Sequence, residues 1–225
     1  MKEKLEQFER DGFFTLEGVI SDGEVQKYRR LCDNYFANHP LKRHDGGAVV
    51  PGWAGRTPEL EEMNMFHQDS RVLKIAEIVL GEGFVFAEHA DLHQNKVTGW
   101  HRDIHDFKRG GGHWPNWSDD FFVIKICFLL QDHADNDYGL WMDVGSHKEG
   151  VGGNGTPIHS KATDAIVFDQ RIHHRGQSSQ YVKKYNKHRY LITYGYGIDN
   201  ELTAAHIAGC KKRQDAQRLT MKPIS

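Results

Sequence analysis

His101-Arg102-Asp103 sets an imidazole and a carboxylate close together in the chain, and His174 follows much later, with Arg189 opening a strand-like run beyond it. Two imidazoles and one carboxylate on one face of an octahedron suit ferrous iron, because the opposite positions stay open for O2 and a second, chelating molecule. A His-x-Asp pair alone arises by chance in a histidine-rich chain, and 15 histidines are many for 225 residues. Neutral imidazole is a metal ligand and a proton carrier near neutral pH, yet most of these histidines must serve structure or surface. The elements around the pair therefore have to decide its meaning.

Those elements read as helices followed by strands. Ser21 with Glu24 forms a capping box for a helix over 21–36, whose Val25, Tyr28, Leu31, Cys32, Tyr35 and Phe36 share one face. Ser70 as N-cap, an apolar stripe from Val72 to Leu80 and Gly81 as stop predict a second helix. From Phe84 onward, short runs rich in β-formers at 84–95, 121–130, 140–144, 164–168, 171–174 and 189–197 suit a sandwich or barrel. Segments 104–118 and 148–156, with Gly110-Gly111-Gly112 and Gly150-Val151-Gly152-Gly153, read as bends or lids beside a site. A last helix beginning at Asn200 carries Leu202, Ala205, His206 and Ala208, and Lys211-Lys212-Arg213 leads into a polar tail. The expectation is one domain over 1–225: helical support over about 1–82, a barrel core over about 83–198, and a C-terminal helix and tail over about 199–225.

Composition narrows the function classes. A formal net charge of -2 gives no global field favouring nucleic acid or an anionic membrane. Cys32, Cys127 and Cys210 are an odd set at wide spacings, neither a disulfide framework nor a zinc pattern, which fits a reducing cytoplasm. The charged start Met1 to Glu6 and the lack of a long apolar tract predict a soluble, unprocessed, cytoplasmic protein. No heptad or exposed zipper pattern speaks to oligomeric state.

Asp11-Gly12-Phe13-Phe14, Trp100-His101-Arg102-Asp103, Leu130-Gln131-Asp132, Gly145-Ser146-His147-Lys148 and Val167-Phe168-Asp169-Gln170-Arg171-Ile172-His173-His174 resemble the phytanoyl-CoA dioxygenase family in order and spacing. The resemblance implies an iron(II)- and 2-oxoglutarate-dependent oxygenase, mainly β with flanking α-helices, on a double-stranded β-helix, the jelly-roll or cupin-like barrel. The chain departs from the family at Tyr138-Gly139 and Asp143-Val144, where a Gly-Pro or Gly-Ala pair and a Pro before Gly-Ser-His are usual. Only one of His173 and His174 can enter a barrel, since successive strand side chains point to opposite faces, and the family pattern lands on His174. His105 reads as a loop histidine. The resemblance implies Fe(II) held by His101, Asp103 and His174, O2 as oxidant, and Arg189 paired with the far carboxylate of 2-oxoglutarate, for which a guanidinium fork is well shaped. The gap from His174 to Arg189 is longer than usual because of the polar stretch 177–187. Thr193 and Gln94 or Asn95 are candidates for further cosubstrate contacts, although a structural role is the more common one for each. Lys125 is a rival anchor, although a lysine in an apolar strand more often lies on its solvent side.

The resemblance further implies 2-oxoglutarate consumed to succinate and CO2 and a hydroxylated C–H bond, with Asp103 filling the slot that halogenases leave to halide. Trp53, Arg56, His105, Lys108, Arg109, His113, Trp114, Trp117, Trp141 and Arg171 are expected near the mouth. This mixture suits a small polar or anionic substrate such as an amino acid, sugar acid or nucleotide derivative. A non-catalytic cupin-like module that binds metal and ligand is the alternative. It would keep the three metal donors without needing Arg189.

Overall fold

The structure, a computed structural model, describes residues 1–39, 41, 47–113, 117–133, 139–149, 153, 155–176 and 184–220. The expected turns at Tyr138 and Gly150 to Gly152, Trp114, and most of the 177–187 connection lie outside them.

Ten strands carry the architecture: β1 (Phe13–Leu16), β2 (Ala48–Pro51), β3 (Phe84–Phe86), β4 (Asp91–Gln94), β5 (Val123–Leu129), β6 (Leu140–Asp143), β7 (Gly155–Pro157), β8 (Ala165–Asp169), β9 (His174–Gly176) and β10 (Tyr190–Ile198). A seven-stranded antiparallel sheet runs β1-β8-β5-β10-β4-β2, with β3 also on β10. A smaller sheet, β7-β6-β9, faces it and is extended by an antiparallel bridge between His101 and His174. These two sheets form the expected double-stranded β-helix.

Strand alternation divides the large sheet into two environments. Ile124, Ile126 and Phe128 of β5, Ala165 and Val167 of β8, and Tyr190, Ile192 and Tyr194 of β10 join the core shared with the helices. Cys127 and Leu129, Ile166 and Phe168, and Leu191 fall on the opposite face, in the barrel interior with Leu140 and Met142 of β6. Both faces of β5 are buried, so it reads as a nearly continuous apolar run in which sequence alone does not reveal the parity.

The N-terminal helices cover the outer face of the large sheet, and the last two pack at one end of the barrel beside its cavity. The helices are α1 (Lys2–Asp11), α2 (Asp22–Asn38), α3 (Glu61–Asn64), α4 (Ser70–Leu80), α5 (His105–Arg109) and α6 (Glu201–Thr220). The capping box forms as expected: Glu24 N donates to Ser21 Oγ at 3.3 Å while Ser21 N donates to Glu24 Oε2 at 2.7 Å. The cap of α4 differs from the expected Ser70. Asp69 takes that place by accepting from Arg71 N at 2.8 Å, since a carboxylate one residue earlier reaches the open amides better than the hydroxyl inside the first turn.

Other boundaries also move. The expected strand 84–95 splits into β3 and β4, with Glu88 between them at φ 53. The N-terminal segment is not purely helical support, because β1 and β2 add to the two sides of the large sheet. The expected polar tail is helical instead: α6 runs through Lys211, Lys212 and Arg213, and Arg213 turns inward onto Asp91 and Asp106. The Gly110-Gly111-Gly112 segment follows α5 directly, and α5 packs closely on α6.

Phe128 lies fully buried under Phe66, with ring centroids 4.7 Å apart in an edge contact. Phe128→Ala is expected to cost about 3–5 kcal/mol of stability, read as a lower urea midpoint at unchanged slope.

Candidate active site

His101 and His174 are brought together by backbone. Each donates its amide to the other's carbonyl at 2.9 Å, a reciprocal pair that places both side chains on one face with ring centroids 4.3 Å apart. The ring tautomers follow from local contacts. His101 Nδ1 lies 2.8 Å from the Gly99 carbonyl and His174 Nδ1 lies 3.1 Å from the Ile172 carbonyl, so each Nδ1 carries the proton and each Nε2 keeps its lone pair. Both Nε2 atoms face Asp103, at 3.6 Å from Oδ1 for His101 and 3.7 Å from Oδ2 for His174. The three donor atoms lie within 4.8 Å of one another, a spacing that a divalent ion between them would draw together.

His173 takes the other face of its strand. Its Nδ1 lies 3.6 Å from Asp143 Oδ2 and its ring is 5.0 Å from that of Trp100, outside the barrel. The structure thus brings His101, Asp103 and His174 together and leaves His173 apart.

Lys125, expected on the solvent side of its strand, faces inward because the odd-numbered residues of β5 all do. Its Nζ donates to Asp103 Oδ2 at 2.5 Å and lies 3.2 Å from His89 Nε2. Burial opposes a charge on either partner, but the ammonium holds the Asp103 carboxyl well below the usual carboxylate range, and Asp103 holds the ammonium above its ordinary value. Burial likewise pushes His174 down to about 3, against the pull of Asp103, which keeps the imidazole neutral and able to donate a lone pair.

The triad forms one side of a cavity of about 280 Å³ that also reaches Arg189, Leu191 and Thr193 of the β10 segment and Asp91 and His93 of β4. Arg189 is buried where β10 begins, with its amide on Asn95 Oδ1 at 2.8 Å and a guanidinium nitrogen 3.3 Å from the Lys96 carbonyl. Thr193 lines the cavity, and its hydroxyl accepts from Asp91 N at 3.1 Å, tying β10 to β4.

Gln94 and Asn95 do not line the cavity. Strand alternation sends Gln94 to the helix-facing side, where its Nε2 donates to Tyr190 Oη at 3.1 Å. Asn95 sits at φ 55 and holds the strand end instead, with Nδ2 2.9 Å from His188 Nδ1. His93, Cys127 and Thr98 occupy the wall in their place. The sequence signal for His93 was parity: Asp91 and His93 share a face, as do Arg189, Leu191 and Thr193.

The residues expected at the mouth scatter. His105 and Arg109 line the cavity together with Arg102 and Lys96. Trp53 is fully buried beside Tyr194, a core residue. Arg56 pairs with Asp215, and Arg171 is held by Asp169 through three of its side-chain contacts. Trp141 sits on the outer face of the small sheet with Arg175 4.5 Å above its ring, and Trp117 takes Arg102 over its own. Cationic donors, rather than tryptophans, flank the cavity among the described residues.

The chain is 25% identical over 165 residues to an ectoine dioxygenase of Streptomyces anulatus, covering 66% of this chain and 52% of that protein. A Streptomyces coelicolor ectoine dioxygenase is 24% identical over 160 residues, covering 66% and 51%. The chain thus spans about half the length of the curated relatives it matches. The epimerase SnoN, solved with Fe3+, alpha ketoglutarate and nogalamycin RO, superposes with a TM-score of 0.68 at 14% identity, over 88% of this chain and 83% of that one. HygX from Streptomyces hygroscopicus, solved with nickel and 2-oxoglutarate, gives 0.67 at 16% identity over 88% and 87%. EctD from S. alaskensis with bound Fe gives 0.66 at 17% identity over 88% and 76%. The fold is that of the iron- and 2-oxoglutarate-dependent oxygenases. No family model matches the chain. The resemblance read from the motifs agrees with these relatives.

The geometry separates the adjacent histidines. Anaerobically loaded His174→Ala is expected to lose its iron, whereas His173→Ala retains it at the level of the unaltered protein, as metal analysis after desalting would read.

Proposed function

We propose that this chain is an iron(II)- and 2-oxoglutarate-dependent oxygenase that hydroxylates a C–H bond of a small polar metabolite. One observation carries the reading: two imidazoles with Nε2 lone pairs and one carboxylate converge on a cavity whose wall also holds the buried Arg189. Bound iron would supply the oxidising chemistry, in which O2 and 2-oxoglutarate are converted to succinate and CO2 as the substrate gains a hydroxyl.

The chain's own residues set the terms for that chemistry. His101 and His174 offer neutral nitrogen donors whose orientation is held by backbone carbonyls, so no ring rotation has to be undone on metal binding. Asp103 offers one oxygen to the metal side while Lys125 holds the other, which keeps the carboxylate ionised and aimed. Arg189 presents a guanidinium to the far carboxylate of the cosubstrate, and a planar fork favours bidentate pairing. Lys125 would stand nearer the metal end and neutralise charge there. The small sheet and β5 enclose the cavity, and Leu140, Leu191 and Phe168 give it apolar walls that keep water away.

Arg102, His105 and Arg109 on the same cavity favour a substrate bearing a carboxylate, phosphate or several hydroxyls. Amino acids, sugar acids and nucleotide derivatives are the classes that fit. One structural neighbour was solved with 2-oxoglutarate and 5-hydroxyectoine, another with nogalamycin RO. Among the described residues no helix is long and apolar enough to cross a membrane.

Iron(II) loading under anaerobic conditions, followed by air and 2-oxoglutarate, is expected to yield succinate slowly without substrate and faster with the correct polar metabolite. Asp103→Ala should abolish this formation. Arg189→Ala should raise the half-saturating 2-oxoglutarate concentration roughly ten- to hundredfold, the value of a lost charge-assisted pair. A folded, iron-loaded chain that neither binds 2-oxoglutarate nor forms succinate would instead be a metal-binding cupin-like module.

A further inference from the structure

A second cluster of metal-ligating side chains lies where α5 and α6 cross. The crossing is close enough for backbone contact: a Cβ at Gly209 would lie 1.5 Å from the Asp106 carbonyl oxygen, and one at Gly110 would lie 1.6 Å from that of Ala205. Only glycine permits this approach. It presses the His206 and Cys210 side chains, one helical turn apart on the same face, against Asp106 of α5 and His89 of the loop between β3 and β4.

His89, His206 and Cys210 are all buried, with one donor atom from each lying within 4.8 Å of the others. Cys210 Sγ is 3.4 Å from His206 Nε2 and 3.5 Å from Asp106 Oδ2, and that oxygen is 3.9 Å from His89 Nδ1. Zinc bonded at about 2.3 Å to sulfur and about 2.0–2.1 Å to nitrogen or oxygen in a tetrahedron sets its donor atoms roughly 3.3–3.6 Å apart. The separations at Cys210 and Asp106, 3.4 to 3.9 Å, are close to that, and His89, His206 and Cys210 all lie within 4.8 Å of one another.

The His206 ring points the same way. It is fully buried, and among the described residues its Nδ1 has no hydrogen-bond partner and its Nε2 meets only a thiol, a weak donor and acceptor. Buried imidazoles are ordinarily satisfied by oxygen or nitrogen, so an imidazole left with a thiol alone is suited to a partner that bonds both. Asp106 Oδ2, the oxygen nearest Cys210 and His89, also accepts from Arg213 Nε at 2.9 Å, while Oδ1 accepts from Arg109 at 2.7 Å and from the same Arg213 nitrogen at 3.1 Å, contacts that orient the carboxylate as outer-shell groups commonly do.

We infer that His89, His206 and Cys210, with Asp106 as the fourth ligand, form a zinc site that clamps α5 and α6 to the barrel. Zinc enters as the dication and displaces the Cys210 thiol proton to solvent, so one thiolate and one carboxylate balance its charge, while the His89 ring proton moves from Nδ1, beside Gln170 Oε1, to Nε2 and Lys125 keeps its bond to Asp103. The ligand set is closed, which marks a structural site rather than a catalytic one. His89 also touches Lys125, the partner of Asp103, so the clamp abuts the floor of the oxygenase cavity. His89 and Asp106 also line that cavity, but none of the four ligands belongs to the His101, Asp103 and His174 triad, so the inference does not rest on the proposed activity.

The test uses the full chain carrying His101→Ala and His174→Ala, which removes both imidazoles of the triad and leaves the Asp103–Lys125 pair beside His89 intact. After incubation with zinc and desalting against a weak chelator, this protein is expected to retain one zinc per chain. Loaded with cobalt(II) in its place, it should show a near-ultraviolet thiolate-to-metal band. Adding Cys210→Ala should remove both the band and the retained zinc, and adding His206→Gln should remove the zinc, with circular dichroism reporting on folding. Absence of bound zinc in the parent double variant overturns the site, as does zinc retained without a thiolate band in the cobalt form. Undiminished zinc in a folded Cys210→Ala protein also overturns it. If both added substitutions unfold the chain, the parent's stoichiometry and cobalt band decide alone, together supporting the site if present and overturning it if either is missing.

Discussion

The reciprocal backbone pair between His101 and His174 is the contact on which the site depends. Two amide-to-carbonyl bonds of 2.9 Å join a segment before β5 to the strand β9, far later in the chain. Their register decides which histidine enters the barrel, because a slip of one residue exchanges the faces of every side chain on the strand. With the observed register His174 points in and His173 points out to Asp143 and Trp100. The carbonyls of Gly99 and Ile172 then choose the tautomers. Paired strands thus set the position, facing and protonation of two donor nitrogens before any ion is considered.

The barrel interior beyond the triad is charged, and the charges are linked. Asp103 meets Lys125 at 2.5 Å, Lys125 lies 3.2 Å from His89, and His89 lies 3.6 Å from Asp91. Asp91 meets Arg213 at 3.0 Å, and Arg213 reaches Asp106 at 2.9 Å. An ion removed from water is tolerated only with a partner, and removing one member would strand the next. This chain of pairs makes α6 part of the site's foundation. It also explains how a lysine is tolerated on a strand otherwise filled with apolar side chains: strand parity turns it inward, and Asp103 partners it there.

Recognition of the donor set required only local reading. A His-x-Asp pair, the Phe168-Asp169-Gln170-Arg171-Ile172-His173-His174 run and Arg189 at a strand start were visible as residue types in order, and the helices over 21–36 and 70–80 were visible as stripes with caps. Parity was not visible in β5, because burial on both faces erases the alternation that would reveal it. For the same reason Lys125 and Cys127 were not legible as cavity residues. Gln94 and Asn95 are polar residues at a strand end, but one step of strand alternation places His93 in the cavity and turns Gln94 toward Tyr190. The zinc cluster is legible only in part: His206 and Cys210 stand one helical turn apart, but no spacing connects them to His89 in a loop or to Asp106 on another helix.

The amino-acid sequence by itself determined which chemistry was possible: the donor types, the arginine for a carboxylate, the capped helices and the succession of β-forming runs. These follow from side-chain chemistry and from periodicities that act within a few residues. Tertiary structure decided which donors meet, since strand pairing between distant segments selects one face of each strand. It also decided which charges are buried together, because an ion pair forms only where packing brings both partners out of water at once.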